Sequence, residues 1–199
     1  CRDQQEFEER VLLCRELAAE AGCLNSPFPF PSRHTARVYL SGREIPPAYE
    51  YYDTTWGEVI LLSGLPGTGK DTWIEKYCSG MPMVSLDAIR EEQGISPLDN
   101  QSRVAELARN QARELLRQKQ PFVWNATNLI PQTRQKQIQL FESYGAAVRI
   151  VYLETSWQEQ VRRNAKRDAA VPERIICNML EKLSPPEGWE GERVVWQCI

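Results

Sequence analysis

Between Glu58 and Gln197 the chain switches repeatedly between two hydrophobic patterns. Short apolar runs occur at Glu58–Ser63, Met81–Leu86, Pro121–Asn125, Ala147–Leu153 and Val194–Gln197. They are rich in β-branched and aromatic residues and too short for typical helices, so they predict strands. Longer segments between them carry apolar residues at helical spacing. Asn100–Gln118 places Val104, Leu107, Ala108, Ala112, Leu115 and Leu116 on one face. Asp71–Tyr77, Pro131–Tyr144, Trp157–Arg167 and Pro172–Leu183 also predict helices. Pro131 suits a first turn, Gly145 a stop, and Ser156 an N-cap. Strand and helix in alternation predict an α/β fold, a parallel sheet with helices on both faces. In such folds ligands bind beyond the C-terminal ends of the strands.

The first part of the chain has a different texture. Arg2–Ala21 has a helical pattern with Phe7, Val11, Leu12, Cys14, Leu17 and Ala18 among charges, and Gly22 stops it. Pro27, Pro29 and Pro31 then force an extended stretch. Val38-Tyr39-Leu40 predicts a short strand before the turn at Ser41-Gly42, and Ile45–Tyr49 resumes the extended character. Tyr49, Tyr51, Tyr52 and Trp56 follow as an aromatic cluster, suited either to stacking on a base or to covering a sheet edge. The expected division is residues 1–56 as a helix and connector, and residues 57–199 as the α/β domain.

Composition narrows the function classes. With 24 Lys and Arg against 27 Asp and Glu, the net charge is -3, so a polyanion site must be a local patch. No apolar run is long enough to span a membrane, and no signal peptide opens the chain. The six cysteines form no C-x-x-C pair, which argues against a zinc site or disulfide framework and for a reducing, cytoplasmic setting. His34 is the one histidine, which leaves a His-based triad or multi-His metal site without support.

The chemistry-bearing residues start at Gly64-Leu65-Pro66-Gly67-Thr68-Gly69-Lys70, a G-x-x-x-x-G-K loop between a predicted strand and a predicted helix. Its glycines let successive N–H groups turn inward, the helix start adds positive potential, and Lys70 reaches the β and γ phosphates of a nucleotide. Gly64, Pro66, Gly67, Thr68, Gly69, Lys70, Asp71 and Thr72 are therefore the candidate nucleotide-binding residues. The residue after the Lys is normally Ser or Thr, but here it is Asp71. A carboxylate is a hard oxygen ligand for Mg²⁺, so Asp71 is the candidate metal residue; the alternative is an acid favoured at a helix start. Asp87 and Arg90 form D-x-x-R at the end of the second strand, a base for an attacking hydroxyl and a clamp for an anionic substrate group. The alternative is that Asp87 caps a short helix holding Arg90. Arg162, Arg163, Lys166 and Arg167 then give either a cationic lid over phosphates or a solvated basic face.

Taken together, these motifs resemble the P-loop polynucleotide 5′-kinases of nucleic-acid end repair, the phage polynucleotide kinase among them. The matching pieces are the loop through Trp73, Leu86–Arg90, Ala126-Thr127-Asn128-Leu129, and Arg163–Arg167 with Val171-Pro172, in family order from Val59 to Leu183. The resemblance implies transfer of the γ-phosphate of ATP or another NTP such as GTP, with Mg²⁺, to a 5′-OH end of RNA or DNA. Asp87 then matches the general base, Arg90 the contact to the phosphate beside the 5′ nucleoside, and Arg163 and Arg167 the lid arginines on the donor. Two positions depart from the family: Asp71 replaces Ser or Thr, and Ala126 stands where some members carry Asp before the T-N pair. The resemblance also implies a kinase module of a bacterial end-healing enzyme, with an upstream repair domain, and the first residue being Cys rather than Met suits that expectation. A small-molecule P-loop kinase and a non-transferring nucleotide switch are the competing readings.

Overall fold

The computed structural model describes residues 2–96, 101–166 and 170–199, with side chains from Glu6 onward. The chain divides into two compact units, Cys1–Tyr52 and Asp53–Ile199.

In the first unit, α1 spans Arg2–Glu20 and α2 spans Arg33–Leu40. Phe7, Val11, Leu12, Leu13 and Leu17 of α1 are exposed. The strand expected at Val38–Leu40 is instead the last turn of α2. Ser32 decides this: its hydroxyl accepts the Thr35 N–H at 3.0 Å and nucleates a helix that the β-branched residues downstream join. Thr35 in turn accepts the Tyr51 N–H through Oγ1 at 2.9 Å. The rings of Tyr49 and Tyr51 meet edge to face, with centroids 5.9 Å apart.

The second unit is built on five parallel strands, β1 (Glu58–Ser63), β2 (Met83–Ser85), β3 (Val123–Asn125), β4 (Ala147–Glu154) and β5 (Arg193–Cys198), in the order β2-β3-β1-β4-β5. β1 pairs along its whole length with β4, from Glu58 opposite Ala147 to Ser63 opposite Tyr152. The central strands are buried on both faces, which is why β1 is almost wholly apolar. Val59 and Leu61 pack with Val104, Ala108, Ala112 and Leu116 of α5 (Gln101–Arg117) and with Ile138 and Phe141 of α6 (Pro131–Ser143). Ile60 and Leu62, one step out of phase, face the other way onto Trp73 and Ile74 of α3 (Lys70–Tyr77). Helices on both faces of a parallel sheet are the architecture the alternating pattern predicts. Trp56, one of the expected aromatic cluster, packs on the first of these cores and donates from Nε1 to the Tyr144 carbonyl at 2.8 Å.

The described residues of this unit also form α4 (Leu86–Gln93), α7 (Trp157–Ala165) and α8 (Glu173–Glu181). The second strand is shorter than its apolar run. Ser85 stops it, because its hydroxyl accepts the Ala88 N–H and starts α4 directly. Asp87 therefore lies in the first turn of α4, and the capping residue is Ser85. No helix among the described residues is long and apolar enough to cross a membrane.

Candidate active site

The loop between β1 and α3 is held open by three glycines. Gly64, Gly67 and Gly69 have φ of 148°, 84° and 87°, values that side-chain-bearing residues avoid. Gly64 has a second reason to be glycine: a Cβ there would collide with the Leu153 carbonyl oxygen at the end of β4. Gly69 precedes α3 as its N-cap, so the loop runs straight into a helix start that favours anions. Thr68 is buried, and its hydroxyl bonds the Leu65 carbonyl at 2.9 Å. Lys70 Nζ lies over the loop, 3.0 Å from the Gly64 carbonyl and 2.8 Å from that of Leu65. The Pro66 carbonyl accepts from Gln160 Nε2 of α7 at 3.1 Å, so α7 is fastened to the loop.

Asp71 and Thr72 form the exposed first turn of α3. Asp71 Oδ1 accepts from Asn125 Nδ2 at 2.8 Å. Asn125 ends β3, so a neighbouring strand orients this carboxylate. The T-N pair does structural work. Gly64 N–H donates to the Thr127 carbonyl at 2.9 Å. Asn128 Nδ2 donates to the Leu62 carbonyl at 2.6 Å, and Ser63 Oγ to the Asn128 carbonyl at 3.0 Å. Asn128 has φ 45°, a left-handed conformation that Asn tolerates better than most residues. These bonds staple the end of β3 to the phosphate loop.

On the β2 side, Arg90 Nη1 bonds Asp87 Oδ1 at 2.5 Å and Nη2 bonds Gln101 Oε1 at 2.7 Å. The carboxylate side is open, with Asp87 79% exposed and Arg90 20%. On the α7 side, Arg163 comes to the loop: its Nη1 lies 3.1 Å from where a Cβ on Gly69 would sit. Asn164, between the motif cations, closes the chain that follows. Its Nδ2 donates to the Val171 carbonyl at 2.7 Å and its Oδ1 accepts the Val171 N–H at 3.0 Å. Arg167 lies outside the described residues. Loop, Asp71, Thr72, Asp87 and Arg90 follow the C-terminal ends of their strands, as α/β topology requires.

Four residues escaped the sequence reading. Asn125 sat unremarked in a strand. Glu159 bonds both Arg162 and Arg163, a contact the E-x-x-R-R spacing offers on a helix. Arg134 and Glu190 form a buried pair: Nε donates to Oε2 at 2.6 Å and Nη2 to Oε1 at 2.7 Å. Arg134 is fully buried and also donates to the carbonyls of Asn128, Leu129 and Ser184. It thereby ties the segment after β3 to the chain ahead of β5. Fifty-six positions separate the two partners, so no local spacing announces them.

Residues 59–186 match the family model described as AAA domain. The chain belongs to this AAA-domain family. It is 27% identical over 149 residues to heterogeneous nuclear ribonucleoprotein U-like protein 2 of Homo sapiens and of Mus musculus, covering 65% of this chain and 20% of each relative. It is 23% identical over 145 residues to the L-seryl-tRNA(Sec) kinase of Methanococcus maripaludis, covering 69% of this chain and 55% of that one. The chain thus spans a fifth to about half of the relatives it matches. Among solved structures, a kinase-assigned protein from Chloroflexus aurantiacus superposes with a TM-score of 0.60 at 19% identity, over 73% of this chain and 86% of that one. The Pnkp1/Rnl/Hen1 RNA repair complex superposes with a TM-score of 0.57 at 21% identity, over 65% of this chain and 44% of that one. The AAA domain of this chain thus has the fold of the P-loop kinases.

Proposed function

We propose that this AAA-domain protein is an NTP-dependent kinase acting on the 5′-hydroxyl end of RNA or DNA. One observation carries the reading: an open carboxylate, Asp87, backed by Arg90, stands beyond β2 while a phosphate loop stands beyond β1 in the same sheet. A module that only bound or hydrolysed a nucleotide would have no use for a base and clamp on the acceptor side. The RNA repair complex and the tRNA kinase, proteins with RNA in their names, support a nucleic-acid acceptor.

The step follows from the residues. The acceptor hydroxyl oxygen attacks the γ-phosphorus as its proton passes to Asp87, and the bond from the γ-phosphorus to the β,γ-bridging oxygen breaks, leaving a nucleoside diphosphate. Lys70 and Arg163 offset the charge gathering on the phosphate oxygens. Arg90 holds the phosphate next to the acceptor nucleoside. Asp71 and Thr72 present a carboxylate and a hydroxyl in one exposed helical turn, hard oxygen donors that fit Mg²⁺. When bound, that ion supplies charge neutralisation at the β and γ phosphates. The Asn125 bond engages Oδ1 of Asp71 and so limits how that carboxylate turns.

The carboxylate at position 71 has a direct consequence. Asp71→Ser introduces a residue common in the polynucleotide 5′-kinases that the motifs resemble, yet it removes a charge that Ala126, just after β3, does not replace. The variant is expected to raise the Mg²⁺ concentration needed for half-maximal ATP binding and to lose transfer activity. Mg²⁺ titration of ATP binding checks this, and an unchanged titration with full activity would sink it.

A shallow, open surface hollow of about 270 Å³ favours a second reading. It adjoins Asp71 and is lined also by Glu75, Cys78, Met81 and Met83. Its two carboxylates disfavour a polyanion and suit a small, uncharged alcohol. A transfer assay separates the readings: γ-labelled ATP and Mg²⁺ with a 5′-OH oligonucleotide or with a panel of sugars and nucleosides. Label on the oligonucleotide end supports the end-healing kinase. Label on a small alcohol alone overturns it.

A further inference from the structure

Glu159 takes no part in the transfer step just described, yet it organises the cations of α7. Its Oε2 accepts from Arg162 Nε at 2.6 Å and its Oε1 from Arg162 Nη2 at 2.5 Å, a two-point fork. The same Oε1 accepts from Arg163 Nε at 2.6 Å. One carboxylate therefore holds two guanidiniums in different ways. Arg162 is engaged along one edge of its fork. Arg163 is engaged through Nε, a bond that does not use its terminal nitrogens, and Nη1 is the atom that lies against Gly69 of the phosphate loop.

The turn that carries Glu159 is itself fixed. Ser156 caps it, accepting the Glu159 N–H at 3.3 Å, and the next residue, Gln160, bonds the Pro66 carbonyl. Hydrogen bonds from Arg162, then from Arg163, hold the Glu159 carboxyl down at about 2, so it is ionised under all ordinary conditions. Two cations and one anion leave the group with a net positive charge.

We propose that Glu159 is a positioning residue for the donor-phosphate site, fixing Arg163 through Nε so that its terminal nitrogens face the triphosphate held by Gly69 and Lys70. The proposal rests on the reading of Arg163 as a donor-phosphate ligand. An unrestrained arginine gives up several side-chain torsions when it engages a phosphate. Holding it in advance removes that cost from the binding step.

The test is a double-mutant cycle on the full chain, reading ATP affinity by calorimetry, with thermal melting to confirm folding. Glu159→Ala is expected to weaken ATP binding about tenfold, equivalent to about 1.4 kcal/mol. In the Arg163→Ala background the same change is expected to do nothing more, because the two residues act as one unit. Glu159→Gln is expected to recover most of the loss, since its amide oxygen still accepts from Nε of Arg163. Unchanged or tighter ATP binding in Glu159→Ala overturns the proposal. So does an equal loss with and without Arg163, which would mark Glu159 as acting on α7 in general. If Arg163→Ala alone leaves ATP affinity untouched, the donor-site reading fails first and takes the proposal with it.

Discussion

Asp87→Ala is expected to lower phosphoryl transfer by about 10²- to 10⁴-fold, the range of a general base, while ATP binding persists. The separation follows from where Asp87 sits. It belongs to α4, beyond β2, whereas the phosphate loop belongs to β1 and α3. Its side chain is open to solvent, so its removal creates no cavity. Its helix start is capped by Ser85 and anchored by buried Ile89, both unaffected. What disappears is the carboxylate and its bond to Arg90. Single-turnover label transfer with a 5′-OH oligonucleotide, alongside ATP binding, measures the two halves independently. Transfer within a few-fold of the unmodified protein would show that Asp87 serves only to hold Arg90. Arg90→Ala sharpens the point: its expected effect is on the acceptor KM more than on the rate at saturation, since a clamp that binds ground and transition states alike changes KM.

Arg134→Ala is expected to cost about 3–5 kcal/mol of folding stability, the range for breaking a buried ion pair from one side. Glu190 would be left nearly buried without its bidentate partner. The Asn128, Leu129 and Ser184 carbonyls would lose a shared donor at the same moment. For a chain of this size each kcal/mol moves the melting temperature by about 2–4 °C, so a fall of roughly 10 °C is expected by calorimetry. A fall of a degree or two would show that the network relaxes onto water. Replacing Arg134 and Glu190 together with leucines tests which part dominates. The pair itself can be exchanged for apolar packing at little cost, but the carbonyls cannot. The double variant should therefore recover only part of the loss.

The sheet, its covering helices and the phosphate loop are legible in the sequence because each rests on local patterns: strand runs, helical periodicity, glycines before a lysine. The failures share a cause. Val38-Tyr39-Leu40 has strand-like composition, but a cap six residues upstream at Ser32 carries a helix through it. Met81–Leu86 looks like one apolar run, yet the Ser85 hydroxyl divides it and moves Asp87 from strand end to first helical turn. In both cases a single side-chain hydrogen bond outweighs the propensity of several residues. At the site, the charged residues of α7 are visible as a run, but which of them pair and which reach the loop depends on the seat of α7, set by Gln160 on Pro66. Arg134 is hidden for the opposite reason. A fully buried arginine in a helix that mixes polar and apolar residues on its buried face is indistinguishable, in sequence, from a solvated one.

The contact between Gly64 and the Leu153 carbonyl also bears on which insertions this chain tolerates. The floor of the phosphate loop rests on backbone, with Leu153 fixed by the register that sets Ser63 opposite Tyr152. A residue added to or deleted from β4 upstream of Leu153 slips that register by one step, swaps the faces of every downstream side chain, and presents a different part of the strand to Gly64. Nucleotide affinity is thus expected to be intolerant of length changes in β4, although the candidate nucleotide ligands lie elsewhere, and more tolerant of substitutions that keep its length.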